Sequence, residues 1–223
     1  MKTKLMNLFA FIAIIASTVA CKGDKKNDTE ASAAEEVVEA PATAETYVVD
    51  NATSVIEWTG KKPVGQHTGT ISLSKGSLKT LDGKIQSGSF VIDMNTINVT
   101  DLEGDEKAGL EGHLKGASEE SQDHFFNVAK FPQASFDVTG ISEKEGKMYI
   151  EGNLTIKGIK KNISFPATAN TEGDVMTLTT DIFTINRTDW GVNYASKSIF
   201  TDIGDKFIND DIELKISLKA KKA

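Results

Sequence analysis

The sequence predicts an all-β fold of about eight antiparallel strands. Three observations predict it: apolar residues recur with a period of two, turn pairs containing glycine separate the alternating stretches, and a single long interval breaks the pattern. The clearest alternation is the last, where Ile212, Leu214, Ile216 and Leu218 interleave with Glu213, Lys215, Ser217 and Lys219. One face of such a strand packs on a core and the other meets water. Met148, Ile150, Leu154 and Ile156 repeat the pattern, with Gly152 and Gly158 on the apolar side. So do Ala134, Phe136 and Val138, and Phe90, Ile92 and Met94.

Further strands are expected over Ser54–Thr59, Thr68–Leu73, Ile163–Ala169 and Val175–Ile185. Asp82-Gly83, Glu145-Gly146, Lys157-Gly158 and Glu172-Gly173 supply turns between them, because glycine reaches the positive φ that tight hairpins need. A sandwich and a closed barrel both satisfy this pattern. Residues 102–128 do not alternate; Leu110, Leu114 and the Phe125-Phe126 pair are spaced like short helical turns. An excursion of that length between strands is expected to cover one end of the β structure.

The N-terminus reads as an address. Lys2 and Lys4 precede an apolar run from Leu5 to Ala16, which has signal-peptide length and falls short of the roughly 20 residues that span a bilayer. Small residues then lead to Cys21, the one cysteine of the chain. Ala20-Cys21 resembles a bacterial lipobox, with Thr18 where such motifs usually carry Leu. The expectation is a signal peptide over 1–20 and lipidation of Cys21, giving a protein anchored to the membrane of the cell envelope. Several acyl chains on one residue hold firmly where one chain is marginal. Residues 22–46 are rich in Ala, Glu and Thr and lack aromatic residues, so 21–46 reads as a lipidated, disordered tether. As a flexible coil it would reach about 25–30 Å. The folded domain is then 47–223.

Removing residues 1–20 moves the formal net charge from −7 to −9. That balance excludes nucleic acid, whose phosphates require clustered Lys and Arg. Catalytic signatures are missing: there is no Gly-x-Ser-x-Gly string and no phosphate loop. His113 and His124, with Glu111 and Asp123 nearby, match no strong metal-ligand spacing. The chain therefore reads as a binding protein, with no enzyme activity, metal or cofactor expected.

His67 follows Pro63-Val64-Gly65 and is expected at a barrel mouth, either bonding a ligand head group or exposed on a loop. Arg187 offers a fork suited to a phosphate or quinone oxygen; beside Asp189 and Trp190 it also suits a structural ion pair with cation–π packing. Phe125, Phe126, Phe131 and Phe136 could line a tunnel or fill a core, and Trp58 divides the same way.

Several strings, in order, resemble the YceI family. They are Trp58-Thr59-Gly60-Lys61-Lys62-Pro63, His67-Thr68-Gly69, Phe90-Val91-Ile92-Asp93-Met94, His113-Leu114, Asp123 to Pro132, Gly152 to Gly158, and Phe183 to Arg187 with Trp190-Gly191-Val192. The resemblance covers nearly all of 47–223. It implies a lipocalin-like barrel that binds a polyisoprenoid or quinone-like lipid, and it admits a homodimer. The ligand-binding residues then expected are Trp58, His67, Leu110, His113, Leu114, Phe125, Phe136 and Arg187. Carriage and sequestration of the lipid both fit, and two other readings compete. One is an enzyme acting on a lipid in the same cavity, using His67 and Arg187; the other is a scaffold or adhesion domain whose interior is filled by its own side chains.

Overall fold

A computed structural model describes residues 29–223. The expected signal peptide and Cys21 lie outside the described residues. The strands are β1 (Ser32–Ala33), β2 (Glu45–Val49), β3 (Val55–Lys61), β4 (Gln66–Leu81), β5 (Lys84–Val99), β6 (Gln133–Lys144), β7 (Lys147–Ile156), β8 (Ile159–Glu172), β9 (Val175–Thr180), β10 (Phe183–Asn186) and β11 (Asp211–Lys222). One α-helix, α1 (Gly104–Lys115), lies between β5 and β6.

All strand pairings are antiparallel, and β4 to β9 follow one another around a ring. β11 pairs with β9 on one side and with both β2 and β3 on the other, and these two pair with β4. β2 and β3 thus share one position, and eight strand positions close the barrel. Closure follows from the alternation, since every inner face needs another to cover it. The hairpins β4–β5, β6–β7 and β7–β8 turn on two residues each, all with positive φ: Asp82 and Gly83, Glu145 and Gly146, Lys157 and Gly158. That is the turn type whose twist matches paired strands.

One strand expectation needs correction, and the helical part of the excursion is given its bounds. Val175–Ile185 is not one strand; it breaks at Asp181-Ile182 into β9 and β10. β9 keeps pairing with both β8 and β11, whereas β10 pairs only with β11 among the named strands. The excursion 102–128 is helical only over α1. Gly116, at φ 72°, ends that helix in a left-handed cap, so Phe125 and Phe126 lie in the loop beyond it. Glu111 accepts from the Val99 N–H at 2.9 Å, and Lys107 donates to Asn98 at 2.9 Å. These bonds fix α1 over the barrel end where β5 stops.

The described part of the segment expected to be a free tether is held against the barrel. β1 pairs with β8 through Ser32↔Asn162 and Ala33↔Lys161, while the Thr29 N–H donates to the Thr184 carbonyl on β10. It therefore fills the seam that β10 leaves beside β8, and Ala31 packs on the core. The chain then crosses the outer wall at β7, where Asn153 Oδ1 accepts from the Glu35 N–H at 2.9 Å and Asn153 Nδ2 donates to the Glu35 carbonyl at 2.7 Å. Asn162 Nδ2 donates to both Asn153 and Thr139. Composition concealed this because the barrel grips the main chain, whose hydrogen bonds offset the ordering entropy whatever the side chains.

Asn153 is 1% exposed, so removing its amide strands buried groups on both partners. Asn153→Ala is expected to lower stability by about 1–3 kcal/mol in urea unfolding and to speed amide exchange over residues 29–36. Unchanged stability and exchange would mean that something else holds the strap.

Candidate functional site

The inner faces of the ring enclose a cavity of about 370 Å³, a size that takes small-molecule ligands. Ile71 and Leu73 of β4, Ile92 and Met94 of β5 and Phe136 of β6 contribute to its walls. Leu78, Leu178 and Leu218, all buried, close the far end. Polar side chains enter the lining at the other end, where Lys61, Lys62, His67 and Asn209 mark a mouth. α1 and its following loop cap that end with Leu110, His113, Leu114, Phe125 and Phe126.

Trp58 stands on the wall in β3, its ring packed on the backbone of Gly69, where a Cβ would lie 2.4 Å from the indole. Its Nε1 is buried with no hydrogen-bond partner among the described residues. A buried donor without a partner costs free energy that an oxygen acceptor would return. His67, the second residue of β4, has Nδ1 at 2.9 Å from Asp101 Oδ2, and the other carboxylate oxygen accepts from the Thr68 N–H at 2.8 Å. Burial pushes the Asp101 carboxyl up, but these bonds outweigh it and hold the group below its ordinary value.

The cap is joined by four rings from three segments. His113 Nε2 lies 2.8 Å from His124 Nδ1. Tyr194 stacks on His124 with centroids 4.1 Å apart, and Phe125 meets His113 edge-on at 5.2 Å. Glu111 and Asp123 do not join them, since Glu111 takes the Val99 N–H and Asp123 takes the Asn127 amide. Burial, and then the neighbouring His124, hold the His113 imidazole below its ordinary value.

Arg187 reaches the lining but is 2% exposed, with each nitrogen donating to a main-chain carbonyl: Nε to Asn209, Nη1 to Val192 and Nη2 to Ile208. Its acidic neighbour is Asp210 at 3.5 Å, not Asp189. Burial lowers the guanidinium pKa, against the pull of Asp210. Arg187 thus ties the loop 191–210 to the barrel, and Trp190 Nε1 donates to the Leu154 carbonyl beside it.

With this geometry in view, the YceI-like domain family matches residues 47–220. The chain belongs to the YceI-like family. Protein YceI of Salmonella arizonae is 32% identical over 112 residues, 49% of this chain and 55% of that protein; protein YceI of Salmonella enteritidis matches to the same extent. The chain therefore covers just over half the length of these curated relatives. Two solved structures share the fold. BcnA of Burkholderia cenocepacia superposes with a TM-score of 0.61 at 22% identity, covering 78% of this chain and 99% of its own. A polyisoprenoid-binding domain from Saccharophagus degradans, implicated in plant cell wall breakdown, gives 0.59 at 16% identity, covering 79% and 98%.

Trp58, His67, Leu110, His113, Leu114, Phe125, Phe136 and Arg187 all line this YceI-like cavity. Phe131 does not; it packs near Gly158, with Lys130 Nζ 5.1 Å from its ring. Gly152 adds no room to the cavity, because a Cβ there would sit 2.2 Å from the Phe136 ring. Sequence reading missed Ile208, Asn209 and Trp190 in the lining, all in or beside a loop whose place is set by bonds to Arg187 and Leu154.

The depressed His113 value has a sign. The folded protein favours the neutral ring, so its contribution is fully present above the ordinary pKa near 6.5 and is lost as pH falls from there through the lower folded-state value. The melting temperature of the wild type should fall more steeply below about pH 6.5 than that of His113→Phe. Parallel profiles would remove the histidine pair from the account.

Proposed function

We propose that this protein binds a long apolar lipid, a polyisoprenoid or quinone-like molecule, inside its barrel. It acts as an envelope lipoprotein anchored through acylated Cys21, for carriage or sequestration. The observation that carries this reading is the enclosed apolar cavity, which a self-filled scaffold would lack. Membership of the YceI-like family and a fold neighbour that is a polyisoprenoid-binding domain support it. Each buried CH₂-sized group contributes about 0.8 kcal/mol, so a few isoprene units offset the cost of association before any polar contact forms.

Binding, rather than catalysis, suits the polar groups present. Arg187 is committed to carbonyls and His67 to Asp101. The buried Trp58 N–H is the donor we assign to a terminal oxygen of the lipid.

Two variants test this. Ile92 lies on the cavity wall and touches both core clusters. Ile92→Trp fills the space and should abolish uptake of a fluorescent polyprenol while leaving the far-UV circular dichroism unchanged; full uptake would place the ligand elsewhere. Trp58→Phe should weaken a prenyl ligand that carries a terminal oxygen by about tenfold and leave its hydrocarbon analogue unaffected in displacement titrations. Equal losses for both ligands would assign Trp58 to shape alone.

A further inference from the structure

We propose that the rim of the cavity mouth is a membrane-docking surface that inserts its apolar loop tips into a lipid bilayer. The docking deepens the lipid-binding reading above and rests on it for its purpose.

Four of the eight large apolar side chains that stand in water among the described residues lie at this end. Val64, at the tip of the β3–β4 turn, is 87% exposed, and Ile199 and Phe200, in the loop 191–210, are 49% and 47% exposed. The two loops are bonded together. The Asn209 N–H donates to the Lys61 carbonyl at 2.8 Å, and the Lys62 N–H closes the turn on the Gly65 carbonyl at 3.1 Å. Within the longer loop, the Ile208 N–H donates to Ala195 and the Phe200 N–H to Ser196, both at 2.8 Å. Ile159, 39% exposed at the start of β8, adjoins Gly191 at the start of that loop. Lys61, Lys62, Ile208 and Asn209 of the same loops line the cavity, so the exposed apolar tips surround the way in. A rim of this kind lets an apolar ligand pass between bilayer and barrel without crossing water.

A bilayer suits this rim better than a protein partner for two reasons. The two loops carry groups of both signs, Lys62, Lys197 and Lys206 together with Asp202 and Asp205. Such a mixed rim matches the headgroup zone while the apolar tips reach beneath it, and it calls for no anionic lipid. The second reason is the strap. Thr29 is bonded to Thr184 of β10, which leads directly into the mouth loops. An acylated Cys21 lies eight residues before Thr29, a span of at most about 26–29 Å, long enough for the mouth end to meet the bilayer that holds the anchor.

The test uses residues 22–223, strap and barrel together, without the acyl anchor. Flotation with phosphatidylcholine vesicles should carry the protein upward, and added phosphatidylglycerol or salt should change little. Val64→Asp with Phe200→Asp should weaken flotation by at least about tenfold. Both side chains are exposed, so melting should be unaffected, and polyprenol uptake from detergent should persist. That persistence separates failure of docking from failure of lipid binding. Val64→Trp should shift its emission to the blue on adding vesicles. A wild type that stays with the soluble fraction, or a double variant that floats as well, overturns the proposal. Concentration-dependent dimerisation abolished by the same double variant would reassign the rim to a contact between copies.

Discussion

Everything in this molecule depends on how the ring closes. β9 is hydrogen-bonded on both edges, to β8 and to β11, and through it the last strands meet the middle of the chain. Once the ladder is closed, alternate side chains of every strand face one another across an interior and have nowhere else to go. Leu154 faces in and Asn153 faces out for no reason beyond their parity on β7. The large aromatic groups Phe165 and Phe183 stack with centroids 4.4 Å apart, yet space remains toward the mouth.

Closure is incomplete at one place, and much of the local detail answers to it. Where β9 gives way to β10, the ladder to β8 stops, and a segment from far earlier in the chain completes it. Beside that seam, Arg187 ties the loop 191–210 down through three of its main-chain carbonyls. The same loop brings Tyr194 onto His124, so the seam, the mouth and the cap form one mechanical unit. The cavity is deep and apolar because the ring closes; it has a mouth because this corner is built from loops.

The alternating strands and two-residue hairpins were legible because their signals are local: a period of two and an Asp-Gly, Glu-Gly or Lys-Gly pair. The Trp58 and Leu114 positions on the cavity wall could be picked out on the family strings. What stayed hidden was held by main-chain recognition across long separations. Glu35 meets Asn153 through its peptide groups, so its own side chain carries no trace of the contact. Thr-rich composition on both sides of Asp181-Ile182 concealed the change of partner there, although inward parity shifts from Met176 and Leu178 to Phe183 and Ile185. Arg187 looked like a ligand fork because its true acceptors are main-chain carbonyls.

The central claim is that the barrel interior holds a long apolar lipid. It is tested most directly by native mass spectrometry of the protein isolated from a bacterial envelope, followed by extraction and identification of whatever is bound. The account predicts a stoichiometric prenyl or quinone species that leaves only on denaturation. An apo mass that persists after incubation with such lipids would contradict it.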